Sequence, residues 1–143
     1  MELADIQNNI IDEFSVFDDW MDKYNYLIEI GKDLPVIDTR FKTKDYLIEG
    51  CQSRVWLYPE FDGTRIKFSA DSDAIITRGI VSLLIKVLSG RTPQEIMSAD
   101  LYFIDRIGLR QNLSPTRSNG LLSMVRQMKL YAMAFDARSR KQN

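Results

Sequence analysis

The chain predicts one α+β domain, a small antiparallel sheet packed against helices, and three observations carry that expectation. Apolar residues recur at helical spacing toward both ends, two short central segments alternate with a period of two, and no internal repeat, linker or low-complexity block divides the 143 residues. With 45% hydrophobic residues, a chain of this length can bury one core over residues 1–143 and has no room for a second.

From Leu3 to about Lys32, Ile6, Ile10, Phe14 and Phe17, then Met21, Tyr24 and Ile28, recur every three or four residues and predict two amphipathic helices. Asp18 and Asp19 are placed to cap the second, and Gly31 with Pro35 to end it. Residues 33–44 read as a loop crossing to a first strand, Tyr46 to Glu49, that runs into Gly50 and Cys51. Val55 and Leu57, then Ile66 and Phe68, alternate with polar or outward residues on either side of Asp62-Gly63, which predicts a hairpin with one core face. Trp56 falls on the outward register, where full exposure would mark a partner surface.

Past Ser69 the period changes to that of a helix, with Ile75, Ile76, Ile80, Leu83, Leu84, Val87 and Leu88 as its apolar stripe and Gly90 as its stop. Thr92-Pro93-Gln94-Glu95 is a capping box with proline in first position, opening a short helix to about Ser98. Phe103, Ile104, Ile107 and Leu109 suggest one helical turn within 99–113. Ser114-Pro115 restarts a helix that Leu121, Met124, Val125, Met128, Tyr131 and Met133 carry to about Phe135, the methionines as core filler, and residues 136–143 read as a frayed polar tail.

Composition excludes several function classes. Nineteen basic against twenty acidic residues give a net charge of -1, which argues against nucleic acid or a membrane surface as partner. No stretch approaches a membrane span and the first residues do not form a secretory signal, so a cytoplasmic setting is expected. The absence of histidine removes Ser-His and Cys-His nucleophile pairs and imidazole metal sites. A single cysteine cannot form an internal disulfide or supply the thiolates of an iron-sulfur cluster or structural zinc, so no metal and no resident cofactor is expected.

That cysteine, Cys51, is the first candidate site residue. A lone cysteine is commonly a small buried hydrophobe, but Gly50 permits a sharp turn before it, and Gln52, Ser53 and Arg54 make the following residues polar. Arg54 would favour the thiolate if it lay close, or else simply face solvent from its strand. Asp71 and Asp73 precede the long helix, where one carboxylate suffices as a cap and the second is left to explain. Arg117 lies in the first turn of the last helix, an unfavourable end for a cation, which leaves its charge for another use or for solvent.

The segment Ile48-Glu49-Gly50-Cys51-Gln52-Ser53-Arg54-Val55-Trp56 resembles the motif of the SufE family of cysteine desulfurase partners, including its CsdE branch. Ser72-Asp73-Ala74 with Gly79, the run Gly90 to Ile96, and Leu113 to Gly120 follow in family order, so the resemblance extends from about Ile10 to Phe135. Ser114 stands where threonine is common, a change that keeps the capping hydroxyl.

The resemblance implies the fold shared with IscU-type scaffolds and a sulfur acceptor that stimulates a cysteine desulfurase of the SufS or CsdA kind. It implies that Cys51 takes the outer sulfur of the desulfurase persulfide and passes it to a SufBCD-type scaffold, with Asp73 and Arg117 as supporting residues. Pyridoxal phosphate would belong to the desulfurase, and the chain would act as a persulfide-bearing partner, as monomer or weak homodimer, more than as an enzyme in its own right. Thiol-to-thiol sulfur transfer needs one nucleophile and neither metal nor histidine, which matches the residues present. A carrier should also shelter its sulfur, so Cys51 is expected in a loop packed partly over apolar residues. Two rival readings remain at this level: a purely allosteric desulfurase-binding module, and an IscU-like cluster scaffold.

Overall fold

The computed structural model describes residues 1–141. Helices α1 (Leu3–Ser15) and α2 (Trp20–Gly31) form as expected, and Asp19 is the cap of α2, its carboxylate accepting the Asp22 amide at 2.9 Å. The buried face of α2 differs from the expected one: Leu27 and Gly31 face the core while Met21 is 68% exposed. Gly31 is also no left-handed helix stop. Its lack of a side chain serves close packing instead, because a Cβ there would lie 3.0 Å from the Gly79 amide nitrogen, and one on Gly79 would lie 2.2 Å from the Leu27 carbonyl oxygen.

Strands β1 (Val55–Phe61) and β2 (Ile66–Ser72) pair antiparallel from Val55 opposite Ser72 to Phe61 opposite Ile66. Asp62 closes the hairpin by accepting the Thr64 and Arg65 amides, with Gly63 at φ +99°. Val55, Leu57, Ile66, Phe68 and Ala70 point into the core, so the period-two reading of both strands holds. The strand expected at Tyr46–Glu49 does not form. Lys44–Tyr46 is a 3-10 turn, followed by a single bridge from Leu47 to Trp56, because Gly50 at φ +90° turns the chain away before a ladder can grow. Residues 33–44 add a parallel bridge from Val36 to Ala70 and a 3-10 turn at Thr39–Phe41. These short pairings cover both edges of the two-stranded sheet.

Helix α3 (Ile75–Leu88) lies against β2, with α2, α1 and α7 (Pro115–Lys141) also packed on it. It is buried on nearly every side from Thr77 to Leu88, whereas Ile75, expected in its apolar stripe, is 61% exposed because the first residue lies beyond the packed part of the helix. Gly90 at φ +79° ends the turn after it. The capping box at Thr92 and Glu95 opens α4 (Pro93–Ser98). The segment after α4 holds two short helices, α5 (Phe103–Arg106) and α6 (Leu109–Asn112), separated by the left-handed Gly108, and it buries Phe103, Ile104, Ile107 and Leu109.

Helix α7 runs on past Phe135, so residues 136–141 are helical and not a frayed tail; Gln142 and Asn143 lie outside the described residues. Arg138, Arg140 and Lys141 occupy its last turn, where cations suit the helix dipole, and Arg140 pairs with Asp136 at 3.2 Å. Met124 and Met128 are core residues, but Met133 is 53% exposed, since the residue after the buried Ala132 rotates out of the packed face. No helix among the described residues is long and apolar enough to cross a membrane.

The α2–α3 crossing tolerates no extra atoms at its tightest point. Gly79→Ala is expected to destabilise the fold by about 1–3 kcal/mol as an overpacking substitution, and Gly31→Ala by less, both read from urea unfolding of the variants.

Candidate functional site

Cys51 is held where a loop crosses the start of α7. Gly50 takes a left-handed conformation that also brings its backbone onto α7: a Cβ at that position would lie 2.5 Å from the Ser123 Oγ. One turn earlier, Gly120 presents bare backbone to the cysteine, with an imagined Cβ 3.5 Å from Cys51 Sγ. The thiol donates to the Gly120 carbonyl oxygen at 3.6 Å.

Both ends of the loop are tied. At its entry, the Ile48 amide donates to the Val55 carbonyl at 2.8 Å. At its exit, the backbone of Arg54 is gripped by the corner between β2 and α3: its amide donates to Asp73 Oδ1 at 3.1 Å, and its carbonyl accepts the Ser72 hydroxyl at 2.7 Å and the Asp73 amide at 3.3 Å. Asp73 and Asp71 therefore do not cap α3. The residue before that helix is Ala74, with no side-chain cap of its own, and the Ala74 amide donates to the Ser72 hydroxyl at 3.3 Å. Asp71, still on the strand, binds Lys42 at 3.0 Å and lies 3.3 Å from Arg78 Nε, within ion-pair range but without hydrogen-bond alignment. Lys42 also sits 4.7 Å above the Trp56 ring, so the outward Trp56 is half-buried under this cation and is not a bare partner surface.

Beside Cys51 lies a cleft of about 80 Å³. Gln52 and Ser53 of the loop, Thr77 and Ile80 of α3, and Thr116, Arg117, Gly120 and Met124 of α7 line it. Of the sequence-selected residues, the cleft gathers Cys51 and Arg117; Asp73 acts from outside it on the loop backbone, and Arg54 does not line it. The Arg117 guanidinium enters no ion pair among the described residues, while its backbone amide is capped by the Ser114 hydroxyl at 3.2 Å. The starts of two long helices, α3 and α7, thus border the cleft, and their free amides and dipoles favour negative charge there.

Cys51 is half-buried, and burial pushes its thiol up from the ordinary cysteine range. Arg54 is not among the causes of that shift and its side chain is exposed, so of its two readings the solvent-facing one holds. The hydrogen bond to the Gly120 carbonyl is one that only the protonated thiol can donate. In this conformation burial and the carbonyl hydrogen bond both favour the protonated thiol. Among the described residues there is no cluster of side chains able to hold a metal ion. Ser72 and Gly120 enter the sequence reading only as members of the family blocks, without a role in the site, and Thr77 does not enter it. Gly120 is detectable in principle, because a glycine inside a helical pattern often marks close backbone approach; Thr77 carries no comparable signal.

Comparison with known proteins bears on this arrangement. Residues 8–132 match the family model described as SufE, Fe-S metabolism associated domain. The chain is 42% identical over 127 residues to an uncharacterised SufE-like protein of Rhizobium etli, covering 85% of this chain and 86% of that one. It is 39% identical to another from Rhizobium meliloti, covering 85% and 91%. SufE-like protein 1, chloroplastic/mitochondrial, of Arabidopsis thaliana is 42% identical over 81% of this chain, which spans only 32% of the plant protein. In three dimensions, the solution structure of a hypothetical protein from Thermus thermophilus superposes with a TM-score of 0.76 at 15% identity, covering 92% of this chain and 96% of that one, which establishes a shared fold.

Two outcomes are expected from this geometry. Alkylation of Cys51 in the folded protein should rise with pH to a midpoint above that of the same protein unfolded in urea, because burial disfavours the thiolate. Asp73→Ala should speed that alkylation several-fold at neutral pH with little loss of melting temperature, the scale of one lost backbone tie at about 1 kcal/mol.

Proposed function

This chain belongs to the SufE family, and on that premise we propose that it is a sulfur carrier of iron-sulfur metabolism, receiving sulfur from a cysteine desulfurase on Cys51 and passing it to a cluster-assembly scaffold. The observation that carries the reading is the placement of its one thiol, half-buried over a cleft with room for an additional sulfur atom. A purely structural cysteine would need no such space beside it.

In the reaction, the Cys51 thiol first gives up its proton and its bond to the Gly120 carbonyl. The thiolate attacks the outer sulfur of the persulfide on the desulfurase cysteine. A bond forms between Cys51 Sγ and that sulfur as the donor S–S bond breaks, and the desulfurase cysteine leaves as thiolate. One sulfane sulfur changes hands with no net oxidation or reduction. Delivery to a SufB-containing scaffold repeats the exchange with an acceptor thiolate attacking the outer sulfur. Pyridoxal phosphate and its chemistry remain with the desulfurase.

The resting geometry makes docking part of the mechanism. A raised thiol pKa and a carbonyl hydrogen bond keep Cys51 unreactive toward passing disulfides and other electrophiles, and a partner that disturbs the Arg54 tie would release the loop toward its own persulfide. Asp73 is thereby a positioning residue, and Arg117 supplies positive charge at the cleft.

Incubation of the full chain with a cysteine desulfurase and cysteine is expected to add one reductant-sensitive sulfur, located at Cys51 by intact and peptide mass. Cys51→Ser should abolish both sulfur uptake and stimulation of the desulfurase. Retained stimulation in that variant would favour an allosteric module, and absence of any sulfur adduct under turnover would exclude the carrier.

A further inference from the structure

Thr77 is the third residue of α3 and is 6% exposed, yet it lines the cleft beside Cys51. A helical threonine ordinarily satisfies its hydroxyl on the carbonyl four residues earlier. Here the Thr77 hydroxyl makes no hydrogen bond among the described residues. It is not sealed off either, since the one fully enclosed side-chain polar atom lacking a hydrogen bond among them is Arg78 Nε. Thr77 thus brings a donor without a partner to the lining of the cleft next to the cysteine.

We propose that the Thr77 hydroxyl is the hydrogen-bond donor that holds the outer sulfur of a Cys51 persulfide in the cleft. The inference rests on the carrier reading and adds the group that retains the cargo. An S–S bond places the outer sulfur about 2 Å beyond Sγ, and the 80 Å³ beside Cys51 accommodates it. That sulfur is anionic near neutral pH and needs a donor. The nearby Gly120 carbonyl accepts and cannot serve, and Ile80 and Met124 are apolar. Thr77 is the lining residue that combines deep burial with a free donor, and it stands in the first turn of α3, where the helix dipole adds to its effect. Held in this way, the outer sulfur is less open to attack by small thiols and is surrendered when the loop leaves the cleft.

The test loads the full chain without any desulfurase. Inorganic polysulfide is attacked by the Cys51 thiolate, leaving one sulfur on Cys51 and expelling a shorter polysulfide. Loss of that sulfur to a small-molecule thiol is followed by intact mass for the parent, Thr77→Val and Thr77→Ser. The valine variant should lose sulfur about tenfold faster, the scale of one hydrogen bond to an anion, while the serine variant stays within about twofold of the parent. The pH midpoint for alkylation of the persulfide should move up in the valine variant, and alkylation of the unloaded thiol should be equal in all three. Thr77→Ala gives the same reading if the valine variant does not fold. Equal sulfur retention in parent and valine variant, or equal loss in valine and serine variants, overturns the role of the hydroxyl. A parent chain that takes sulfur from neither polysulfide nor desulfurase overturns the carrier reading itself, and this inference with it.

Discussion

The grip of Ser72 and Asp73 on the backbone of Arg54 is the contact on which the arrangement of the site depends. Two residues separate β2 from α3, and within that corner one hydroxyl, one carboxylate and one amide bind both polar groups of a single residue on the neighbouring segment. Arg54 is the last residue before β1, so the grip fixes where the cysteine loop ends relative to the start of α3. Gly50 fixes where it begins relative to α7. Cys51, between those two anchors, has its position set by backbone contacts at both ends.

The same corner brings the starts of α3 and α7 to one cleft. Their dipoles and the Arg117 side chain create a setting hospitable to negative charge, while Ile80, Met124 and the surrounding core withhold water. For the thiol, withdrawal from water wins, and its pKa rises. An added sulfur would reach further into the cleft, where donors are available. On the proposed carrier role, this geometry suits keeping a persulfide better than activating a free thiol, and activation is left to whatever releases the loop.

Legibility of the chain followed the range of the forces involved. The hairpin, the capping box at Thr92 and the start of α7 at Ser114-Pro115 are written in neighbouring residues and were read with the right partners. The sequence misleads where a distant segment decides. Tyr46–Glu49 has strand-like composition but no room for a ladder once Gly50 turns, and Asp71 looks like a cap but finds Lys42 and Arg78 first. Gly31 does end α2, as expected, and the fold also uses it as a packing contact with Gly79. The tail past Phe135 is polar, which in a helix that already has one buried face is compatible with further turns.

By itself the sequence determined the α+β class, the two strands with their buried face, and the family, because periodicity, capping chemistry and a nine-residue motif are local. It also determined that thiol chemistry has one residue to rest on, since no second cysteine exists. Only the tertiary structure decided what surrounds that thiol. Whether Arg54 or a carbonyl faces Cys51, whether Asp73 caps a helix or clamps a loop, and whether Thr77 has a partner depend on segments tens of residues apart, brought together by burial of a core that no local pattern encodes.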